Sequence, residues 1–131
     1  MGSIARMKPP YSVRTSFGYA RAGIVSTFRE GGNFRIQLCG GALAIVLGLV
    51  FQISAGEWLA ILICCGLVLG GECINTAIEH AVDLACPEKD PVAGAAKDEA
   101  AGGVLLFALA SLAVGIVIFA PRILALVGIT F

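Results

Sequence analysis

Three stretches of the chain carry no charged residue over nearly the length that a membrane crossing needs. Ile36 to Ser54 is bounded by Arg35 and Glu57, Trp58 to Gly71 runs on into a more polar stretch, and Ala100 to Ala120 stops at Pro121. A helix needs about 20 mostly apolar residues to cross a hydrocarbon core of about 30 Å. The pattern therefore predicts membrane spans over about 36–54, 57–84 and 99–120. Only a few residues around Ser54, Ala55 and Gly56 separate the first two, so they form a tight antiparallel hairpin. Ahead of them Val13, Phe17, Ala20, Ile24 and Phe28 recur at spacings of three and four, with Arg14, Arg21 and Arg29 on another face. This predicts an amphipathic helix over about 12–31 lying in the headgroup layer of anionic lipid. The same face could instead pack onto the spans, and the two uses are compatible.

Composition agrees with this reading: 58% of the residues are hydrophobic and 14% charged, against about 45–50% and 25% in a soluble domain, and mean hydropathy is +0.92. The fold class is all-α integral membrane, as a single domain over 1–131. High hydrophobicity and a formal net charge of zero exclude a disordered chain, a secreted disulfide scaffold and a nucleic-acid binder. Cys39, Cys64, Cys65, Cys73 and Cys86 lie in or beside apolar runs without zinc-site spacing, as small core residues of a reduced compartment. No continuous apolar run marks a secretory signal, so the N-terminal segment is expected to be retained. Of nine Lys and Arg, all but Arg122 precede the first span or lie between the second and third. The positive-inside rule puts the N-terminus and the 84–98 segment in the cytoplasm. Gly66 and Gly70 form a small-xxx-small pair, suited to packing within the chain or between copies.

The second run continues through Glu72, Asn75, Thr76, Glu79, His80 and Asp83. At about 100° per residue, Glu72, Thr76, Glu79 and Asp83 fall within roughly 60° of one another, with Asn75 at the edge of the stripe. Like charges on one face repel, and ionisable groups at membrane depth are costly. About 20 residues counted from Trp58 put the hydrocarbon boundary near Ala77. Glu72 and Asn75 then lie just inside it, and Glu79 and Asp83 in the headgroup zone. Such placement suits chemistry on a lipid headgroup, with one carboxylate reaching a hydroxyl and others holding a metal that faces the cytosol. The bland reading, a solvated helix end, accounts for Asp83 and Glu79 but not for Glu72. His80 reads as a polar flank residue rather than a ligand. Downstream, Pro87 and Pro91 break the helix, and Gly94 with Lys97 offers close backbone approach and positive charge to a phosphate. Neither standard phosphate-loop motif is present.

Glu72-Cys-Ile-Asn75-Thr-Ala-Ile-Glu79, then Val82-Asp83-Leu84, Pro87-Glu88 and Gly94-Ala-Ala-Lys97-Asp98, resembles the prokaryotic diacylglycerol kinase and undecaprenol kinase family of small integral membrane lipid kinases. Phe17-Gly-Tyr19-Ala and Asn33-Phe34-Arg35 are similar to its N-terminal segment, and the resemblance covers roughly residues 14–120. It implies a homotrimer in the bacterial inner membrane, with three spans and a surface helix per subunit. It also implies transfer of the γ-phosphate of MgATP to a lipid alcohol, at sites between subunits that face the cytoplasm. Glu72 would be the general base, and Glu79 and Glu30 magnesium ligands. Asn75, Asp83, Glu88, Gly94, Lys97, Asp98 and Tyr19 would form the nucleotide side. Asn75-Thr76, Val82 to Leu84 and Asn33 sit closer to the undecaprenol than to the diacylglycerol branch.

Two positions depart from the family. Its metal-binding Glu stands three residues before the Phe of Asn-Phe-Arg, where this chain has Gly31, and the acid is Glu30. One residue is about 100° on a helix, so Glu30 serves only if Gly31 and Gly32 let the chain rewind. Where relatives carry His before the loop proline, this chain has Asp90. Two readings from other classes remain. A small proton-coupled transporter would use Glu72 as its proton site but leave Glu79, Asp83, Lys97 and Asp98 without work. A noncatalytic scaffold would tolerate loss of the acidic stripe.

Overall fold

The computed structural model describes residues 12–129; Arg6 and Lys8 of the N-terminal positive segment lie outside them. Among the described residues the architecture is all-helical: α1 (Val13–Glu30), α2 (Gly32–Phe51), α3 (Ala55–Ala85) and α4 (Pro91–Leu126). The last three are long and apolar enough to cross a membrane, and the chain is a multi-pass membrane protein. The helix starts follow local chemistry. Ser12 caps α1 by accepting from the Thr15 N–H at 3.2 Å. Ser54 and Glu57 form a reciprocal capping box at α3. Asp90 accepts from the Val92 and Ala93 N–H groups at 2.8 and 3.0 Å, with Pro91 opening α4.

The α2–α3 turn is as tight as the short connection requires. Gln52 closes α2 at φ 48°, ψ 53°, and the Ile53 N–H returns to the Gly48 carbonyl at 3.2 Å. A Cβ on Gly48 would stand 2.8 Å from the Trp58 ring, and one on Gly41 would stand 3.3 Å from Cys65 Sγ. Ile53, Ile61, Ile118 and Phe119 form the core at this end. There Arg122 pairs with Glu57 at 2.9 Å, neutralising the one cation outside the two basic segments.

At Pro121 the structure departs from the sequence expectation, because α4 runs through it to Leu126. Proline removes one backbone donor without ending the helix here, and the Arg122 guanidinium, which donates to the Ile118 carbonyl and to Glu57, ties the last turns of α4 to α3. A Cβ added to Gly66 or Gly70 would meet nothing within 4 Å. The close approach between α3 and α4 falls instead at Gly71, where a Cβ would lie 2.8 Å from Phe107. On α1, Val13, Phe17, Ile24 and Phe28 are all exposed, so packing onto the spans does not cover this face.

Candidate active site

α3 carries the acidic stripe, and burial divides it. Glu72 is 4% exposed and Asn75 8%, whereas Glu79 is partly buried and Asp83 is open. The inner pair faces the neighbouring helices, and the outer pair emerges toward the α3–α4 loop. Glu72 Oε2 receives the Gln37 amide of α2 at 3.5 Å. Asn75 donates to Glu79 Oε1 at 3.1 Å, one helical turn along. The Oδ1 of Asn75 and the Oε1 of Gln37 are buried with no partner among the described residues. Buried acceptors are normally satisfied, so two orphans beside a buried carboxylate mark a polar site rather than a helix end.

Glu30 reaches this region from α1. Gly31, the single residue between α1 and α2, leaves the helix at φ −88°, ψ 106°, and its N–H returns to the Thr27 carbonyl at 2.8 Å. The chain thus leaves the helix at Gly31, between Glu30 and the Asn33-Phe34-Arg35 segment. Glu30 accepts from the Ser26 hydroxyl at 2.7 Å and pairs with His80 Nε2 of α3 at 2.8 Å. The Ser26 hydroxyl first, and His80 after it, hold the Glu30 carboxyl below the ordinary carboxylate range. Among the described residues no three acidic, His or Cys side chains converge as a metal cluster.

Beyond Asp83 the end of α3, the loop and the start of α4 enclose a groove of about 500 Å³, lined by Asp83, Glu88, Gly94 and Lys97 among others. Asp83 and Lys97 form an ion pair across it. The volume suits a small-molecule ligand. Tyr19 and Asp98 are exposed; neither lines this groove nor hydrogen-bonds to the other candidates.

Three contributors escaped the sequence reading. His80 is a cross-helix partner of Glu30 rather than a flank residue. Asp90 is a helix cap, which an acid directly before Pro at a helix start signals. Gln37 sits in an apolar run, and no local motif singles it out.

The sequence pattern of the family described as prokaryotic diacylglycerol kinase matches residues 18–119. The chain is 39% identical over 108 residues to an undecaprenol kinase of Bacillus subtilis, covering 82% of this chain and 88% of the relative. It is 37% identical over 112 residues to a diacylglycerol kinase of Synechocystis sp., covering 85% and 64%. It is 33% identical over 81 residues to a diacylglycerol kinase of Pseudomonas aeruginosa, covering 62% and 66%.

Proposed function

The chain belongs to the prokaryotic diacylglycerol kinase family and is a lipid kinase with ATP as co-substrate, and from that premise we propose that its acceptor is undecaprenol and that Glu72 is the base. Membership leaves the transporter and scaffold readings without support. The observation that carries the lipid assignment is the match to the undecaprenol kinase across most of both chains, 82% of this one and 88% of the relative. The diacylglycerol kinases, matched over about two thirds of their length, supply the second reading, diacylglycerol as acceptor.

The site supports an in-line transfer. The lipid hydroxyl approaches from the bilayer to Glu72, whose carboxylate takes its proton. The hydroxyl oxygen forms the new bond to the γ-phosphorus as the bond to the β-phosphate oxygen breaks and ADP leaves. The groove at the α3–α4 loop receives the nucleotide from the cytosol. There Lys97, held by Asp83, offsets phosphate charge, Gly94 allows close backbone approach and Glu88 lines the same groove; Asp98 and Tyr19 lie outside it, and only the family resemblance assigns them to the nucleotide side. Asn75 orients Glu79. Magnesium takes one or two protein carboxylates and fills its shell with phosphate and water, so Glu79 and Glu30 suit it as donors without a third protein ligand. When bound, it neutralises charge on the phosphate oxygens. The basic segments put this end in the cytoplasm. The uncovered apolar face of α1 and the open surface at Gly66 and Gly70 suit a bilayer and neighbouring copies in a homotrimer.

Purified protein in lipid nanodiscs, incubated with labelled ATP, magnesium and either undecaprenol or diacylglycerol, tests this. Faster labelling of undecaprenol is expected. Preferential labelling of diacylglycerol would replace the first reading by the second.

A further inference from the structure

Gln37 is the unabsorbed feature nearest the chemistry. It lies on α2, in a span that the sequence presents as uncharged, and its amide nitrogen is 3.5 Å from Glu72 Oε2. An ionised carboxylate only accepts hydrogen bonds, so the amide must turn its N–H toward Glu72 and its carbonyl away. That carbonyl is buried and has no partner among the described residues. As a structural contact this is poor: the hydrogen bond is at the long limit, and an unsatisfied buried acceptor costs free energy that an apolar side chain would not. Glu72 itself is 4% exposed and has no other side-chain hydrogen bond among the described residues. Gln37 is therefore the one side chain among the described residues that donates to this carboxylate. It also lines the apolar groove between α2, α3 and α4 as one of its few polar residues, with Gly41, Ala44 and Val68 nearby.

We infer that Gln37 is a positioning residue for the phosphoryl transfer: its amide N–H fixes the direction in which Glu72 meets the lipid hydroxyl. This rests on the proposed role of Glu72 as the base. Its signature is a split between activity and stability, because the contact orients without strengthening the fold.

The test compares the full-length protein in nanodiscs with Gln37→Met, which keeps length and bulk but not the donor, and with Gln37→His, which returns a ring N–H at similar reach. Gln37→Met is expected to lower kcat by about tenfold or more, the scale of one hydrogen bond to a charged group. KM for ATP should stay unchanged, and the thermal midpoint should be equal or higher. Gln37→His should recover a substantial part of kcat. An unchanged kcat in Gln37→Met would overturn the inference. So would a fall in kcat that tracks a fall in thermal midpoint, or no recovery by Gln37→His. Reaction of the Glu72 carboxyl with an apolar carbodiimide, followed by mass spectrometry, separates this idea from the kinase assignment. If the parent protein phosphorylates neither lipid alcohol, the proposed role of Glu72 fails. Faster labelling in Gln37→Met then still upholds the contact, and equal labelling overturns it.

Discussion

Replacing Glu72 by Gln keeps the shape of the side chain and removes its capacity to take a proton. A positioned general base contributes about 10²–10⁴ in rate, or about 2.7–5.4 kcal/mol of barrier at about 1.36 kcal/mol per factor of ten. The geometry puts the loss toward the upper part of that range. With Glu72 only 4% exposed, bulk water has little access to the place its carboxylate occupies and does not readily stand in as the base. Stability should move little and in the opposite direction, because the variant gives up one hydrogen bond at 3.5 Å and no longer buries a carboxylate. The assay is initial-rate phosphorylation of undecaprenol in nanodiscs beside thermal unfolding followed by Trp58 fluorescence, with oligomer size by light scattering as a control. Turnover within tenfold of the parent would refute the base assignment. A thermal midpoint falling in step with activity would show Glu72 to be a structural residue instead.

Glu79→Gln should raise the magnesium concentration for half-maximal rate by about tenfold or more, the scale of a disturbed metal environment, and leave KM for the lipid alcohol near its parent value; an unshifted magnesium titration counts against Glu79 as a ligand. Asp90→Ala removes the acceptor for two N–H groups at the start of α4, worth about 1 kcal/mol locally. Faster amide exchange over residues 92–97 and a several-fold higher KM for ATP are expected, and unchanged exchange would contradict the cap. Gly31→Ala places a Cβ 2.8 Å from the Thr27 backbone carbonyl, which cannot move without the helix, so a loss of about 1–3 kcal/mol in stability is expected. Because the same junction sets Glu30 against His80, that loss should be non-additive with His80→Ala in a double-mutant cycle of thermal unfolding, and strict additivity would unlink them.

The helices and the candidate chemistry were legible to different depths in the sequence, for physical reasons. Uncharged runs report spans directly, because burying a charge in hydrocarbon is costly. That logic finds α2, α3 and α4 and flags Glu72 as out of place. It misplaces the end of α4 because a rule about one missing N–H at Pro121 knows nothing of Arg122 reaching Glu57, 65 positions away along the chain. Glu30 shows the same limit from the other side. Its offset from the family position looks like a defect on a continuous helix, and becomes intelligible only with the break at Gly31 and the contact to His80. Gln37 is the instructive omission, since no motif surrounds it and 35 positions separate it from Glu72. Yet the tight turn after Gln52 fixes the register of α2 against α3. Gly48 meets Trp58 beside the turn, Gly41 meets Cys65 two helical turns further out, and continuing away from the turn along both helices brings Gln37 to Glu72. A polar residue inside a span is thus best judged by counting outward from the hairpin to what stands opposite, because in a membrane its partner is across the helix pair rather than along the chain.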